Sequence, residues 1–218
     1  MKITWLGHAA FLITTEDGVK ILTDPYEADS YDGALAYQPI EEEADVVTVS
    51  HQHADHYDPK GLKGDPDIVI GPGTQTIGGL TFKGIPSFHD PNDGRERGEN
   101  TIFVFEADGI TVCHFGDVGH VLSDEQLSEI GHVDVALIPV GGFYTIDARE
   151  ATEIVEKIGP SIVIPMHFQT KACSFPIATV DDFLKEKERV ERLGSSEISL
   201  TKDQLPSKMH IKVLEHKL

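Results

Sequence analysis

The 218-residue sequence is short of cysteine, of basic residues and of long apolar runs, and each shortage removes a class of protein. Two cysteines, Cys113 and Cys173, cannot build the disulfide framework of a small secreted scaffold, and neither is given a role. Lysine and arginine total 18 against 37 aspartates and glutamates, a formal net charge of -19. That sign repels a phosphate backbone, so nucleic acid is a poor partner, and the acidic excess reads as a solvated surface. No segment approaches the ~20 consecutive apolar residues of a membrane-spanning helix, so no membrane is expected. Met1-Lys2-Ile3-Thr4-Trp5 runs straight into an apolar, strand-like segment without the apolar core of a secretory signal, which makes a cytoplasmic location the default.

With 39% hydrophobic and 25% charged residues, the length suits a single domain over 1–218 with a sizeable core. Strand-length apolar segments recur: Ile3 to Leu6, Phe11 to Thr14, Val19 to Leu22, Val46 to Val49, Ile68 to Ile70, Leu80 to Ile85, Thr101 to Phe105, Ile110 to Phe115, Val133 to Val140 and Ile162 to Ile164. Asp17-Gly18 and Asp108-Gly109 join two pairs as hairpins, because this dipeptide accepts the positive φ of both central positions. Helices are expected after Ser123, with Gln126 as its capping partner, and after Asp147, with Glu150, through Ala151-Ile154-Val155-Ile158 to Gly159-Pro160. A third is expected after Thr179, over Phe183 to Leu193, ending at Gly194. The first hairpin leads to Thr23-Asp24 and the second to His114-Phe115-Gly116-Asp117, and each is followed later by another apolar strand. This weak internal echo suggests two sheets face to face with chemistry where strand ends meet.

The chemistry concentrates after Val46-Val47-Thr48-Val49-Ser50, where His51, His53, Asp55 and His56 fall within six positions. Chance would give this pattern about once in 400 chains of this composition. Three imidazoles and a carboxylate crowded at one strand end repel one another when protonated, whereas a divalent cation makes the cluster stable.

His-x-His-x-Asp-His after a strand resembles the signature of the metallo-β-lactamase fold superfamily, and the resemblance extends over nearly the whole chain. Its pattern implies a later His, Asp and His in that order, and Ser87-Phe88-His89, Phe115-Gly116-Asp117 and Pro165-Met166-His167 supply them at strand ends. Trp5-Leu6-Gly7-His8 and Leu22-Thr23-Asp24-Pro25 resemble the compact group that includes the ascorbate-6-phosphate lactonase and other metal-dependent hydrolases. The groups that use a Cys ligand match less well, because Asp117 stands in that place. The resemblance implies an α/β (α+β) fold, a four-layer αββα sandwich, and a hydrolase with two divalent metal ions. His51, His53 and His89 would hold one ion, Asp55, His56 and His167 the other, and Asp117 would bridge them. Asp55 and Asp117 would be catalytic, positioning a water made acidic by the metals. Without thiolates the donor set suits zinc or manganese, with iron also compatible. Asp24 is a candidate for fixing a ligand imidazole.

Candidate substrate contacts are His8, Arg95, Arg97, Asn100, His120 and Tyr144, with the polar loop Asp90 to Asn100 offering two of the chain's five arginines to an anion. His114, His132, His210 and His216 read as surface or internally satisfied histidines. The expected reaction cleaves an ester-like bond, a lactone or phosphodiester, in a small anionic molecule. A nuclease of the same fold and a metal-dependent binding module are the competing readings, and a homo-oligomer stays open.

Overall fold

Successive side chains of each N-terminal strand point to opposite faces and join two different apolar clusters. In β1 (Lys2–Gly7), β2 (Ala10–Thr14), β3 (Lys20–Thr23) and β4 (Val46–Val49), the side chains of Ile3, Trp5, Phe11, Ile13, Ile21 and Val46 join a core of 43 buried residues. Their neighbours Leu6, Leu12, Leu22 and Val47 belong to a separate cluster of 13 residues on the opposite face. The computed structural model, which describes residues 1–218, pairs these strands with β5 (Asp67–Ile70) and β13 (Glu197–Ser199) in a six-stranded sheet of order β13-β1-β2-β3-β4-β5.

The second sheet has eight strands: β6 (Gly73–Ile77), β7 (Leu80–Phe88), β8 (Glu99–Ala107), β9 (Ile110–His114), β10 (Val135–Pro139), β11 (Ile162–Met166), β12 (Val190–Arg192) and β14 (His210–Val213). Their order is β12-β14-β11-β10-β9-β8-β7-β6. The large core draws on both sheets, with Trp5 and Phe11 from the first and Phe82, Phe103 and Ile138 from the second. The result is the expected mixed α/β sandwich.

The echo in the sequence reappears as topology. β1-β2-β3 are antiparallel neighbours and β3-β4-β5 parallel ones, and β7-β8-β9 and β9-β10-β11 repeat the same run. In each sheet, therefore, the odd members of the antiparallel run and the parallel strands all finish at one edge. His8, Asp24 and His51 follow β1, β3 and β4, while His89, Asp117 and His167 follow β7, β9 and β11. The Asp108-Gly109 turn has both residues at positive φ (53° and 71°), as the hairpin reading requires, whereas at Asp17-Gly18 only the glycine does (87°).

Two helices lie against the eight-stranded sheet. α2 (Asp124–Ile130) and α3 (Ala148–Ile158) open with complete capping boxes, Ser123 with Gln126 and Asp147 with Glu150. α3 buries Ala151, Ile154 and Val155, the last two contributing about 1.5–3 kcal/mol each. The outer face of the six-stranded sheet is covered by Tyr26, Leu35, Tyr37 and Ile40 and by Cys173, Phe175 and Ile177. The one-turn α1 (Ser30–Gly33) in this layer is left-handed at Tyr31 and Asp32. No helix is long and apolar enough to cross a membrane.

The helix expected over Phe183 to Leu193 is a correction. α4 spans only Val180–Leu184, Thr179 makes no side-chain cap bond, Glu186 turns left-handed at φ 60°, and Val190–Arg192 becomes strand β12 beside β14. Strand pairing of Val190 with Ile211 overrides the local helical preference of Lys185-Glu186-Lys187-Glu188.

Candidate metal centre

Strain marks the strand ends that carry the chemistry. His8 (φ 50°), Asp24 (φ 39°) and His167 (φ 50°) all sit in the left-handed region, which costs a non-glycine residue about 1–3 kcal/mol and persists only where the surroundings enforce it. Hydrogen bonds between strand ends do the enforcing: the Asp24 amide donates to the Thr48 carbonyl (2.9 Å) and the His167 amide to the His8 carbonyl (3.2 Å). Beside Asp117, Gly116 at φ 53° leaves no room for a side chain, since a Cβ would stand 2.4 Å from both Asn100 Oδ1 and Ser50 Cβ. Gly116→Ala is therefore expected to lower stability by about 2–4 kcal/mol, read as a reduced urea midpoint of the chelated protein. An unchanged midpoint would mean that Ser50 and Asn100 yield freely.

The proposed ligands converge from both sheets. Asp117 Oδ2 stands 3.1 Å from His56 Nε2, 3.2 Å from His89 Nε2 and 3.2 Å from His167 Nε2. His51 Nε2 and His53 Nδ1 are 3.0 Å apart. Bonds of ~2.05 Å to a tetrahedral ion set its donor atoms about 3.3 Å apart, so these spacings match a metal cage. Three groupings have their ligand atoms within 4.8 Å of one another: His51 with His53 and His89, His51 with His56 and Asp117, and His8 with Asp55, His56 and His167. His56 Nε2, His167 Nε2 and Asp117 Oδ1 are buried without a hydrogen-bond partner, a costly state that an ion coordinated there would relieve. The residues present fit a metal.

Second contacts settle which nitrogens face the centre. Asp24 accepts from the Ser50 amide (2.8 Å), the Ser50 hydroxyl (2.6 Å) and His56 Nδ1 (2.8 Å). Because the one Ser50 hydroxyl hydrogen goes to Asp24, Ser50 Oγ accepts from His51 Nδ1 at 3.0 Å. Both imidazoles thus spend Nδ1–H on these contacts and turn Nε2 toward the centre, where His51 Nε2 meets His53 Nδ1 at 3.0 Å and His56 Nε2 meets Asp117 Oδ2 at 3.1 Å, and where a bound cation would displace any proton on Nε2. Burial, then His56, brings His51 down to about 3, and burial, then His167, brings His8 down to about 4, so both are neutral near pH 7. Burial also works against a charged His56, but Asp117 and then Asp55 outweigh it and raise its pKa well above the usual 6.5. Burial opposes ionisation of Asp117 as well, yet His167, His56 and His89 hold it well below the carboxylate range.

A cavity of about 320 Å³ opens over these groups, lined by Tyr31, His53, Asp55, His89, Arg97, Asp117, Tyr144 and Phe175. Of the expected substrate contacts it includes Arg97 and Tyr144 and leaves out the other four. His8 is fully buried, with Nε2 3.2 Å from Asp55 Oδ2. Asn100 is also buried, its amide donating to Ser87 Oγ and the Phe115 carbonyl while its Oδ1 accepts from the Asp117 amide, so it holds Asp117 from behind. His120 spends both nitrogens on the backbone, accepting from the Phe88 amide and facing the Val121 carbonyl. Arg95 points to solvent, with Asp93 4.0 Å away.

Sequence reasoning missed Tyr31, whose hydroxyl donates to Asp55 Oδ1 (3.0 Å), and Phe175, because neither stands at a strand end. It also missed Asp90, which accepts from the amides of Asn92, Gly94, Glu96 and Arg97 and so folds the arginine loop. The Asp-x-Asn spacing at 90–92 was the available signal. His114, read as satisfied, is so in part: it is buried with Nε2 2.9 Å from the Ala9 carbonyl, while its Nδ1 has no partner.

Comparison with known proteins shows the family. Residues 2–167 match the family described as the Beta-lactamase superfamily domain. A UPF0173 metal-dependent hydrolase of Thermococcus kodakarensis is 34% identical over 196 residues, covering 78% of this chain and 85% of that protein. One of Archaeoglobus fulgidus is 32% identical over 216 residues, covering 85% and 90%. A solved Thermotoga maritima structure of the metallo-β-lactamase superfamily is 41% identical, covers 99% of both chains and superposes with a TM-score of 0.81. The chain accordingly belongs to the metallo-β-lactamase superfamily, within its family of UPF0173 metal-dependent hydrolases.

Proposed function

We propose that this chain is a hydrolase that holds two divalent cations and cleaves an ester-like bond, in a lactone or phosphodiester, of a small anionic molecule. The observation that carries this reading is the convergence of seven donor residues from two sheets at the base of one cavity, which His53, Asp55, His89 and Asp117 line, with buried polar atoms of His56, His167 and Asp117 left unpartnered. His51, His53 and His89 would hold one ion and Asp55, His56 and His167 the other, with Asp117 between the two sets. With nitrogen and oxygen donors only, and Cys113 buried within β9, the set suits zinc or manganese, with iron also fitting. When bound, such ions supply an acidified water and polarise the bond under attack.

The chain's own groups do the rest. Tyr31 and His8 hold the two oxygens of Asp55, which fixes that carboxylate at the cavity floor where a proton must be taken up. Arg97 places the one cationic side chain of the lining at the mouth, where it meets an anion. Asp24 orients His56 directly and His51 through Ser50. A nuclease is disfavoured by the -19 charge and by a cavity at the small end of ligand sites, ~300–1,000 Å³.

The test is metal-replete purification followed by phosphodiesters, lactones, thioesters and β-lactams. Turnover of one class is expected, abolished by a chelator and restored by added zinc or manganese. A metal-saturated protein that turns over no class would make the chain a binding module instead.

A further inference from the structure

We propose that the cavity selects a small planar aromatic or heteroaromatic substrate carrying one negative charge; this deepens, and rests on, the hydrolase reading above. Three rings form one continuous wall. Phe175 lies 5.4 Å from Tyr31 and 5.7 Å from Tyr144, and both tyrosines stand nearly upright on it, at 82° and 71°. All three line the cavity, so their free edges and faces are what a guest meets. A fourth ring packs on such an edge-to-face array better than a flexible aliphatic chain, because the array offers oriented quadrupoles as well as apolar area.

The charge requirement comes from Arg97. Its guanidinium carbon sits 5.8 Å from the Tyr144 centroid, and its nearest carboxylate partner, Glu96, is 3.7 Å away. The loop beneath it is preorganised, since Asp90 accepts from four of its amides, that of Arg97 at 2.8 Å. A planar guanidinium fork suits a carboxylate. A substrate with its ring against Tyr144 would therefore keep its charge at Arg97 and present its scissile bond to the floor. The volume of about 320 Å³ admits one such ring with short substituents.

The test reads binding without turnover, by calorimetry on the metal-loaded protein. The probes are 4-acetamidobenzoate (ring and charge), acetanilide (ring only) and 5-acetamidopentanoate (charge only). 4-Acetamidobenzoate should bind about tenfold tighter than either of the others. Arg97→Gln should erase its advantage over acetanilide, and Tyr144→Leu its advantage over 5-acetamidopentanoate. Both positions are partly exposed, so the fold tolerates these changes. Equal affinities for the three probes, no binding of any at millimolar concentration, or variants that keep the wild-type ranking would each overturn the proposal. Because no bond is cleaved, a protein that shows the ranking yet hydrolyses no ester loses only the hydrolase reading. One that hydrolyses esters without the ranking loses only this proposal.

Discussion

Asp117→Asn is expected to lower the metal content from about two ions per chain toward one and the rate on the best substrate by roughly a hundredfold or more. One oxygen, Asp117 Oδ2, faces His89 on one side of the centre and His56 and His167 on the other, all within 3.2 Å. Three buried imidazoles thus share a single negative charge, and the amide keeps the shape while removing that charge. The fold should survive, because the backbone amide of Asp117 still donates to Asn100 Oδ1. Elemental analysis of both proteins beside their kinetics makes the check. Wild type saturating at one ion, or a variant with full metal and full rate, would show that Asp117 does not couple the two sets.

Asp24→Asn should act without touching the cavity, lowering metal affinity about 10- to 100-fold and stability by about 2–4 kcal/mol. Asp24 is fully buried and accepts three hydrogen bonds, from the Ser50 amide, the Ser50 hydroxyl and His56 Nδ1. Asparagine has one acceptor oxygen, so at least one of those donors meets an amide N–H. His51 and His56 then lose the contacts that turn their Nε2 atoms toward the centre. Burial opposes ionisation of Asp24, but His114 and the hydrogen-bonded His56 outweigh it and hold its pKa below the usual 3.8. A depressed folded pKa stabilises above the unfolded value, and that contribution disappears as pH falls through the folded one. The gap between wild type and variant should accordingly be full at pH 7 and shrink below about pH 4. Urea unfolding with chelator present reads the stability and its pH dependence, and metal titration reads the affinity. Equal midpoints together with equal affinities would leave Asp24 as no more than a turn residue before Pro25.

The metal cluster was legible in the sequence because parallel, buried strands write themselves as uninterrupted apolar runs, and the first polar residues after such a run lie at the sheet edge. Val46-Val47-Thr48-Val49 leads to His51, Ile110 to Cys113 leads to Asp117, and Ile162-Val163-Ile164 leads to His167 in this way. Edge strands leave no such mark. Gly73-Thr74-Gln75-Thr76-Ile77 is mostly polar, and β12 and β13 are three residues long with their strand character supplied by partners distant in sequence. The cavity wall was the least legible part. Tyr31 reaches Asp55 from a left-handed turn and Phe175 from a loop after His167, so tertiary placement, rather than spacing, makes them neighbours. Arg95 and Arg97 look alike in sequence, and only the Asp90 carboxylate, by pinning the backbone between them, decides that one faces the cavity and the other solvent.

The repeated strand order of the two sheets has a mechanical consequence. His51, His53, Asp55 and His56 leave the first sheet, whereas His89, Asp117 and His167 leave the second, so neither half holds a full coordination sphere. An ion bound at the seam would act as a rivet, its affinity available only while the halves are docked. Any fluctuation that parts the sheets would forfeit that free energy at once, turning two layers that could fray separately into one cooperative unit.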